Sequence, residues 1–292
     1  MSSVKVAILG MGLIGGSLGM ALRKFSAGSV RVTGYARRMQ TREQALAMGA
    51  ADAMAETPEA AVDDADFVFL CTPMLQMLPI ATAILPCMKP GSILTDVGST
   101  KKWFAENIHP VVPSSVHYIG GHPMAGREKS GMEAATPELF QQCWYIFTPF
   151  ADTRTADLEK LRQLIEITGA VTAVLDTEKH DRMAAIISHI PHVAAASLVH
   201  LLKKEASPSE TARFIGGGFR DTTRIASSDA DMWADICMTN AGNIAAELDS
   251  LGKVLSDVAV LIRAGDRENI HAFFREAKQL RDNVLQQEKA NR

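Results

Sequence analysis

Short apolar runs alternate with stretches of helical period along the first 175 residues of the chain. An apolar run of roughly four to eight residues is the length of a buried strand, whereas a repeat every three or four residues marks one face of a helix. Strands separated by helices pair in parallel through right-handed crossovers. We therefore predict an α/β domain over residues 1–175 with a doubly wound parallel sheet. The predicted strands span residues 4–9, 30–34, 66–71, 92–97, 118–121, 143–148 and 170–175.

The pattern changes after Asp176, and helical period continues to the end of the chain without a convincing strand. We expect one long helix over 177–204, or two, because Pro191 lacks a backbone donor and must bend it. A second helix, about 50 Å long, is predicted over 229–264. Its apolar stripe exceeds what a small domain covers, so we predict an all-helical domain over 176–292 that forms a homodimer, with burial inside its own domain as the alternative. The stripe consists of Ile236, Ile244, Leu248, Leu251, Leu255, Val258 and Ile262.

The composition is that of an ordinary globular protein. Apolar residues make up 47% of the chain and charged residues 22%, which excludes disorder as the main state. The 30 basic and 33 acidic residues are interspersed, so we expect no nucleic-acid partner. A signal-peptide pattern and a run of about 18 apolar residues are both lacking, so we expect a cytoplasmic protein without a membrane span. The four cysteines are scattered without metal-ligand spacing, and no metal site is predicted.

A glycine-rich turn joins the first predicted strand to the first predicted helix. Its sequence, Gly10-Met11-Gly12-Leu13-Ile14-Gly15, has the GxGxxG spacing. The first glycine allows the tight turn, the second lets the backbone approach a pyrophosphate, and the third permits close contact between helix and strand. The helix N-terminus then presents free N–H groups to the phosphates. We therefore predict a Rossmann-like domain that binds a dinucleotide through this turn and Leu13 and Ile14.

The end of the second predicted strand bears on the choice of cofactor. Enzymes that use NAD usually have Asp or Glu there, which accepts a hydrogen bond from the ribose 2′-hydroxyl. Here Ala36 takes that place, and Arg37 and Arg38 follow. A guanidinium can hold a 2′-phosphate in a bidentate fork, so we predict NADP, with NAD possible. The alternative is that both arginines are ordinary solvated charges.

Four further motifs carry a resemblance to a known family. They are DVGSTK at 96–101, GGHPMAG at 120–126, SHIPH at 188–192 and GGGFRDTTRIA at 216–226. Together they resemble the prephenate and arogenate dehydrogenase family, in this order and from about residue 4 to residue 285. The resemblance implies oxidative decarboxylation of prephenate to 4-hydroxyphenylpyruvate in tyrosine biosynthesis, with hydride transfer to NAD(P).

The resemblance also implies roles for individual residues. His122 is expected to be the base that accepts the proton of the substrate hydroxyl, a task that suits a neutral imidazole near pH 7. Ser99 is expected to orient the hydroxyl and the nicotinamide, although it could instead cap a helix. Thr72 and Pro73 are expected at the cofactor ribose. The expected substrate-binding residues are Arg224 at a carboxylate, His192, Ser188, Gly217 and Trp233 in the pocket, and Glu128 and Asp221 at its mouth.

Three alternatives remain open. Arogenate differs from prephenate by an amino group in place of the keto group, and His192 near that arm favours prephenate. A β-hydroxyacid dehydrogenase would need a lysine in a G-x-x-x-N-x-K context, which 216–224 does not contain. A regulator that binds NADP without turnover is disfavoured because His122, Ser99 and Arg224 all stand in their motif contexts.

Overall fold

The structure is a computed structural model that describes residues 3–127, 129–204 and 208–290. The chain forms two compact units, the first reaching Ala241 and the second beginning at Gly242. The predicted domain boundary at 175/176 lies inside the first unit, at the point where the sheet ends and helices take over. That boundary remains a prediction.

The first unit is built on one eight-stranded sheet, with strand order β3-β2-β1-β4-β5-β6-β7-β8. All neighbouring strands are parallel except β6 and β7, which are antiparallel. The predicted α/β sheet is therefore confirmed, but the sequence did not reveal this one reversal. The strands are β1 (Val4–Leu9), β2 (Val30–Tyr35), β3 (Ala53–Met54), β4 (Phe67–Leu70), β5 (Ile93–Asp96), β6 (His117–Pro123), β7 (Trp144–Thr148) and β8 (Val171–Val174).

The central strands are apolar because helices cover both faces of a parallel sheet. Every residue of β4 and β5 is buried, whereas Val171 and Val174 of the edge strand β8 are each about two-fifths exposed. The strand order reverses between β1 and β4, and ligands of doubly wound sheets bind at this reversal, beyond the carboxyl ends of the strands. The predicted cofactor turn at Gly10 follows β1 and therefore lies at that point.

Over the first 175 residues helices connect the strands, as the alternating pattern predicts. In the part of the chain that the structure describes, no strand follows β8. The helices are α1 (Leu13–Phe25), α2 (Met39–Ala47), α3 (Pro58–Val62), α4 (Met74–Ile84), α5 (Lys102–Asn107), α6 (Thr155–Glu166), α7 (Thr177–Ala184), α8 (Ile190–Leu201), α9 (Pro208–Ala212), α10 (Gly217–Thr223), α11 (Ala230–Thr239), α12 (Ala241–Ala264) and α13 (Arg267–Ala290).

A π-helical turn, Ala185–His189, joins α7 to α8. Pro191 lies directly after this turn, as the second residue of α8, and has no N–H to donate to a carbonyl of the widened turn. The predicted bend at Pro191 is thus a widened turn just before it. Such π turns are frequent at functional sites, and this one contains Ser188 and His189.

The helix predicted over 229–264 is two helices, so that prediction was wrong. It breaks at Asn240, whose side chain is buried and hydrogen-bonded to two other segments. Tertiary hydrogen bonds to one amide side chain have outweighed the local helical pattern. The two units of the chain also divide here.

The apolar stripe of the second unit is partly exposed in a single chain, although Ile244 is buried. Leu255 is 58% and Ile262 is 61% exposed on α12, and Phe274 and Leu280 are similarly exposed on α13. Exposed apolar side chains along two 24-residue helices need cover, which supports the predicted homodimer over burial within the chain.

One helical stretch, Thr177–Lys204, is long and apolar enough to cross a membrane by length and composition. The sequence pattern did not single it out. A single such helix is weak evidence for a membrane span, because core helices of soluble proteins meet the same criteria. This stretch also carries the buried polar side chains of His180 and Asp181.

Candidate active site

The glycine turn is packed as a dinucleotide-binding turn requires. Gly10 has a positive φ of +109°, and a Cβ there would lie 2.5 Å from the backbone of Cys71 on the neighbouring strand end. A Cβ on Gly15 would lie 2.0 Å from the carbonyl oxygen of Gly10. A Cβ on Gly12 would meet nothing within 4 Å, so this glycine faces open space at the start of α1. Gly10 and Gly15 thus serve the packing, and Gly12 leaves room for a pyrophosphate.

A cavity of about 350 Å³ lies beside this turn. Its walls include Gly10, Tyr35, Ala36, Arg37, Thr72 and Pro79. The hydroxyl oxygen of Thr72 is buried and has no hydrogen-bond partner among the described residues. An unsatisfied buried hydroxyl at a strand end fits a ligand that supplies the missing bond. The turn, the cavity and this hydroxyl together fit a dinucleotide.

The two predicted arginines differ in position. Arg37 is exposed and lines the cavity, whereas Arg38 takes the N-cap position of α2 and does not line it. Ala36 is buried, and its carbonyl oxygen accepts a hydrogen bond from Nε of Arg42 at 2.5 Å. Arg42 also stacks its guanidinium over the ring of Tyr35. The backbone that carries Arg37 is therefore held in place by a third arginine, which the sequence analysis did not identify.

A buried ion pair organises the loop that carries Ser99. Asp96, at the end of β5, accepts hydrogen bonds from the Lys101 ammonium, from the Tyr118 hydroxyl at 2.7 Å and from the Gly98 amide at 2.7 Å. The Lys101 ammonium also donates to the carbonyl oxygen of Gly121 at 2.6 Å. Lys101 and Asp96 are both fully buried. The loop is thereby fastened to the residue that precedes His122.

Ser99 itself is half-buried in a bend of this loop. The helix α5 begins at Lys102 with Lys101 in the N-cap position, so the alternative of Ser99 as a helix cap was wrong. The next residue, Thr100, donates a hydrogen bond of 3.0 Å to the hydroxyl of Thr239 in α11. Ser99 thus stands at the carboxyl end of β5, in a loop held from two sides.

His122 lies at the carboxyl end of β6 and is 9% exposed. Burial, with the neighbouring rings of His180 and His189 and the Lys101 ammonium, holds the pKa of His122 well below its usual value. Burial is the largest of these causes, because it disfavours the charged ring. His122 is therefore neutral at neutral pH, the state that a proton acceptor needs.

A buried pair that the sequence pattern did not indicate lies beside His122. Nδ1 of His122 lies 2.8 Å from Nε2 of His180, and Nδ1 of His180 lies 2.7 Å from the carboxylate of Asp181. That carboxylate also accepts hydrogen bonds from the amides of Lys101 at 2.7 Å and Lys102 at 2.9 Å. The adjacent His and Asp at the start of a helix were the available signal, but proximity to His122 across 58 residues was not visible in the sequence.

The rings of His192 and Trp233 are stacked, with centroids 4.0 Å apart. Nδ1 of His192 lies 2.9 Å from the carbonyl oxygen of Ser188, one helical turn earlier. The indole nitrogen of Trp233 is buried without a hydrogen-bond partner among the described residues. Three of the predicted substrate residues are thus brought together. His189 is fully buried instead, where its Nδ1 lies 3.2 Å from the amide of Asn240, and burial lowers its pKa to about 4.

The predicted substrate arginine lies in an exposed segment. Arg224 is exposed beside an open cavity of about 610 Å³, and its segment packs on α8, the helix of His192. Asp221 and Gly217 are exposed on α10, where a Cβ on Gly217 would lie 3.9 Å from the Asp221 carboxylate. Glu128, the other residue expected at the pocket mouth, lies outside the described residues.

Known families account for almost the whole chain. Residues 18–174 match the family described as "Prephenate dehydrogenase, nucleotide-binding domain", and residues 176–276 match "Prephenate dehydrogenase, dimerization domain". The chain belongs to the prephenate dehydrogenase family. This membership confirms the family resemblance, the Rossmann-like fold with a helical dimerisation domain, and the prediction of an oxidoreductase that forms a homodimer.

Individual relatives agree with this family. The prephenate dehydrogenase of Bacillus subtilis is 36% identical over 97% of this chain and 77% of its own length. The structure of Aquifex aeolicus prephenate dehydrogenase in complex with hydroxyphenyl propionate and NAD+ is 30% identical, covers 97% of this chain and 99% of its own, and has a TM-score of 0.89. Synechocystis arogenate dehydrogenase is 28% identical, covers 96% of this chain and 100% of its own, and has a TM-score of 0.81.

For this member of the prephenate dehydrogenase family, the cofactor is a nicotinamide dinucleotide. Family membership does not distinguish NADP from NAD, so the preference for NADP stays a prediction. The predicted residues fall into two groups in the first unit. One group, Gly10, Ala36, Arg37 and Thr72, lines the cavity beside the glycine turn, and the other includes His122 and, at α8, Ser188 and His192.

Proposed function

We propose that this chain is a cytoplasmic enzyme that oxidatively decarboxylates prephenate to 4-hydroxyphenylpyruvate, with NADP as its preferred cofactor. The observation that carries the proposal is His122, a neutral imidazole at the carboxyl edge of the sheet, one strand from the Ser99 loop. Its Nδ1 is engaged by His180, so Nε2 is the nitrogen left for a substrate. Prephenate needs such a base, because its hydroxyl must lose a proton as the ring is oxidised.

In this proposal each residue has one task. Bound NADP supplies the acceptor for the hydride from C4 of the substrate. Nε2 of His122 accepts the hydroxyl proton, Ser99 orients that hydroxyl, and loss of CO2 then leaves the aromatic product. Arg224 holds a carboxylate of the dianionic substrate, a task suited to a guanidinium. We assign Ser188, His192, Gly217 and Trp233 to the pocket and Asp221 to its mouth; Glu128, expected at the mouth as well, lies outside the described residues.

The preference for NADP is supported by the end of β2. Ala36 offers no side-chain acceptor to a ribose 2′-hydroxyl, and Arg37 projects a cation at the wall of the cavity. Thr72 and Pro73, with Gly10, Gly12, Leu13, Ile14 and Gly15, would hold the rest of the dinucleotide. Since Arg38 lies outside the cavity wall, we assign the 2′-phosphate to Arg37 and regard Arg38 as the weaker candidate.

One observation favours arogenate as a second substrate, against the sequence-based expectation that His192 favours prephenate. The carbonyl oxygen of Ser188 is only an acceptor, so Nδ1 of His192 must donate to it. Burial lowers the pKa of His192, and the neutral ring then has a lone pair on Nε2. A lone pair suits the ammonium of arogenate, whereas the keto oxygen of prephenate would need a donor there.

Steady-state kinetics with prephenate and arogenate, each with NADP and NAD, test both choices. We expect turnover of prephenate with the highest kcat/KM in the presence of NADP. A higher kcat/KM for arogenate than for prephenate would indicate that Nε2 of His192 accepts a hydrogen bond from the substrate ammonium. Absence of turnover with either substrate would overturn the proposal and favour a protein that binds the dinucleotide without catalysis.

A further inference from the structure

Two fully buried polar residues, His180 and Asp181, have no part in the proposed function so far. They lie at the start of α7, where His180 reaches the ring of His122 and Asp181 reaches the loop after β5. Burying a charged carboxylate and two imidazoles is costly unless each is hydrogen-bonded. Their hydrogen bonds reach His122 and the loop that carries Ser99, so they bear on where the ring protons of His122 lie.

The ring protons in the hydrogen-bonded series Asp181–His180–His122 can be assigned by starting from the carboxylate of Asp181. Both oxygens of the Asp181 carboxylate accept a hydrogen bond, one from the amide of Lys101 and the other from the amide of Lys102. Nδ1 of His180, 2.7 Å away, must therefore be protonated and donate to it. An imidazole that carries its single ring proton on Nδ1 has a lone pair on Nε2.

The assignment continues to the neighbouring ring. Since Nε2 of His180 is an acceptor, Nδ1 of His122 at 2.8 Å must be the donor. A neutral imidazole has one ring proton, so Nε2 of His122 is left with its lone pair. This is the nitrogen that the proposed reaction needs.

We propose that His180 and Asp181 are positioning residues that hold His122 in the Nδ1–H tautomer and stabilise its ring once it is protonated. This inference rests on the proposed role of His122 as the base. During the step, the O–H bond of the substrate breaks and an Nε2–H bond forms, while Nδ1–H stays hydrogen-bonded to His180. The positive charge of His122 is then separated from the carboxylate of Asp181 by one imidazole ring.

The other groups near His122 make this support necessary. Burial disfavours a charged His122 most, and a charged His180 ring, the Lys101 ammonium and the His189 ring disfavour it further. The support therefore requires a neutral His180 that accepts a hydrogen bond from Nδ1 of His122. The carboxylate of Asp96 is engaged by Lys101 and Tyr118. Asp181 is thus the carboxylate linked to the base through a hydrogen-bonded ring, an arrangement that orients imidazoles in other enzymes.

The test compares two substitutions with different hydrogen-bonding ability. His180→Phe removes the acceptor that faces His122, whereas His180→Gln retains a carbonyl oxygen near that position. We expect His180→Phe to lower kcat by between about 10- and 10⁴-fold, the upper end being the loss seen when a catalytic histidine adopts the wrong tautomer. His180→Gln is expected to recover most of that loss, with KM for the dinucleotide unchanged in both variants.

The matched control is a second His–Asp pair in the same unit. Nε2 of His109 lies 3.2 Å from the carboxylate of Asp152, where both side chains are partly exposed and outside the proposed site. His109→Gln is expected to leave kcat unchanged. Equal losses in His180→Phe and His180→Gln would show a packing role and overturn the tautomer assignment.

A spectroscopic measurement on the wild-type enzyme tests the inference independently of any variant that fails to fold. Nitrogen-15 NMR of ring-labelled histidine distinguishes protonated from unprotonated ring nitrogens, and His122→Asn identifies the signals of His122 among the eight histidines. We expect a protonated Nδ1 and an unprotonated Nε2 at neutral pH. A protonated Nε2 in an enzyme that turns over its substrate would overturn the inference alone. If the wild-type protein turned over neither prephenate nor arogenate, the proposed function itself would be overturned instead.

Discussion

The centre around His122 and the arginines at the edge of the site are held in place in different ways. His122, His180 and Asp181 are buried and hydrogen-bonded to one another and to the loop after β5. Arg37 and Arg224 are exposed at the walls of open cavities. Buried hydrogen bonds position a reacting atom closely, whereas exposed cations attract anionic groups through solvent-screened charge. The difference indicates that chemistry is concentrated in the buried centre and selectivity at the exposed edge.

The largest effect is expected from the buried centre. His122→Asn removes the proton acceptor and is expected to lower kcat by at least ~10²-fold, the usual scale of a general base. Binding of NADPH, measured by fluorescence titration, is expected to persist because the glycine turn is untouched. Full activity in this variant would end the mechanism.

An intermediate effect is expected at the substrate arginine. Arg224→Ala is expected to raise the KM for prephenate by about 10- to 100-fold, as a charged hydrogen bond is worth roughly 1.5–3 kcal/mol. The KM for the dinucleotide is expected to change little. Arg220→Ala is the control, because Arg220 lines the same cavity and donates to the carbonyl oxygen of Ile215. Equal effects of the two substitutions would assign both to the general positive charge of this surface.

The smallest effect is expected at the cofactor pocket. Arg37→Ala is expected to lower the ratio of kcat/KM for NADP to that for NAD by about 10-fold, the lower end for a charge-assisted contact because Arg37 is exposed. Arg38→Ala is expected to change this ratio much less. Ala36→Asp is expected to favour NAD, since a carboxylate repels a 2′-phosphate and accepts from a 2′-hydroxyl. A wild-type preference for NAD would show that Arg37 has no such role.

How far the sequence predicts the site differs between the same two regions. Periodic apolar runs predict the strands, and strand ends place Gly10, Thr72, Ser99 and His122 at one edge of the sheet, because parallel strands all point the same way. These are local patterns, which can be recognised from neighbouring residues in the sequence alone. The exposed arginines were visible in the same way, although the separate positions of Arg37 and Arg38 were not.

The buried hydrogen-bond network could not be predicted from the sequence, because it forms only through contacts between distant segments. His180 and Asp181 stand in a polar stretch with helical period, which is typical of a solvated helix surface. Their burial follows only when α7 packs beside α5 and the end of β6. Asn240 illustrates the same limit, since its amide bonds the carbonyl oxygen of Asp181 and Nδ1 of His189 and interrupts a predicted helix. Hydrogen bonds between distant segments leave no period in the sequence.

The pH dependence of kcat/KM for prephenate tests most directly the central claim that a buried, neutral His122 is the base. Its pKa is held below the usual value of 6.5, so the ring stays unprotonated through neutral pH and loses its lone pair only in acid. We therefore expect kcat/KM to be constant around pH 7 and to fall on an acid limb centred below pH 6.5. We also expect this limb to be absent from the residual activity of His122→Asn. An acid limb centred above pH 6.5, or the same limb in His122→Asn, would contradict the account.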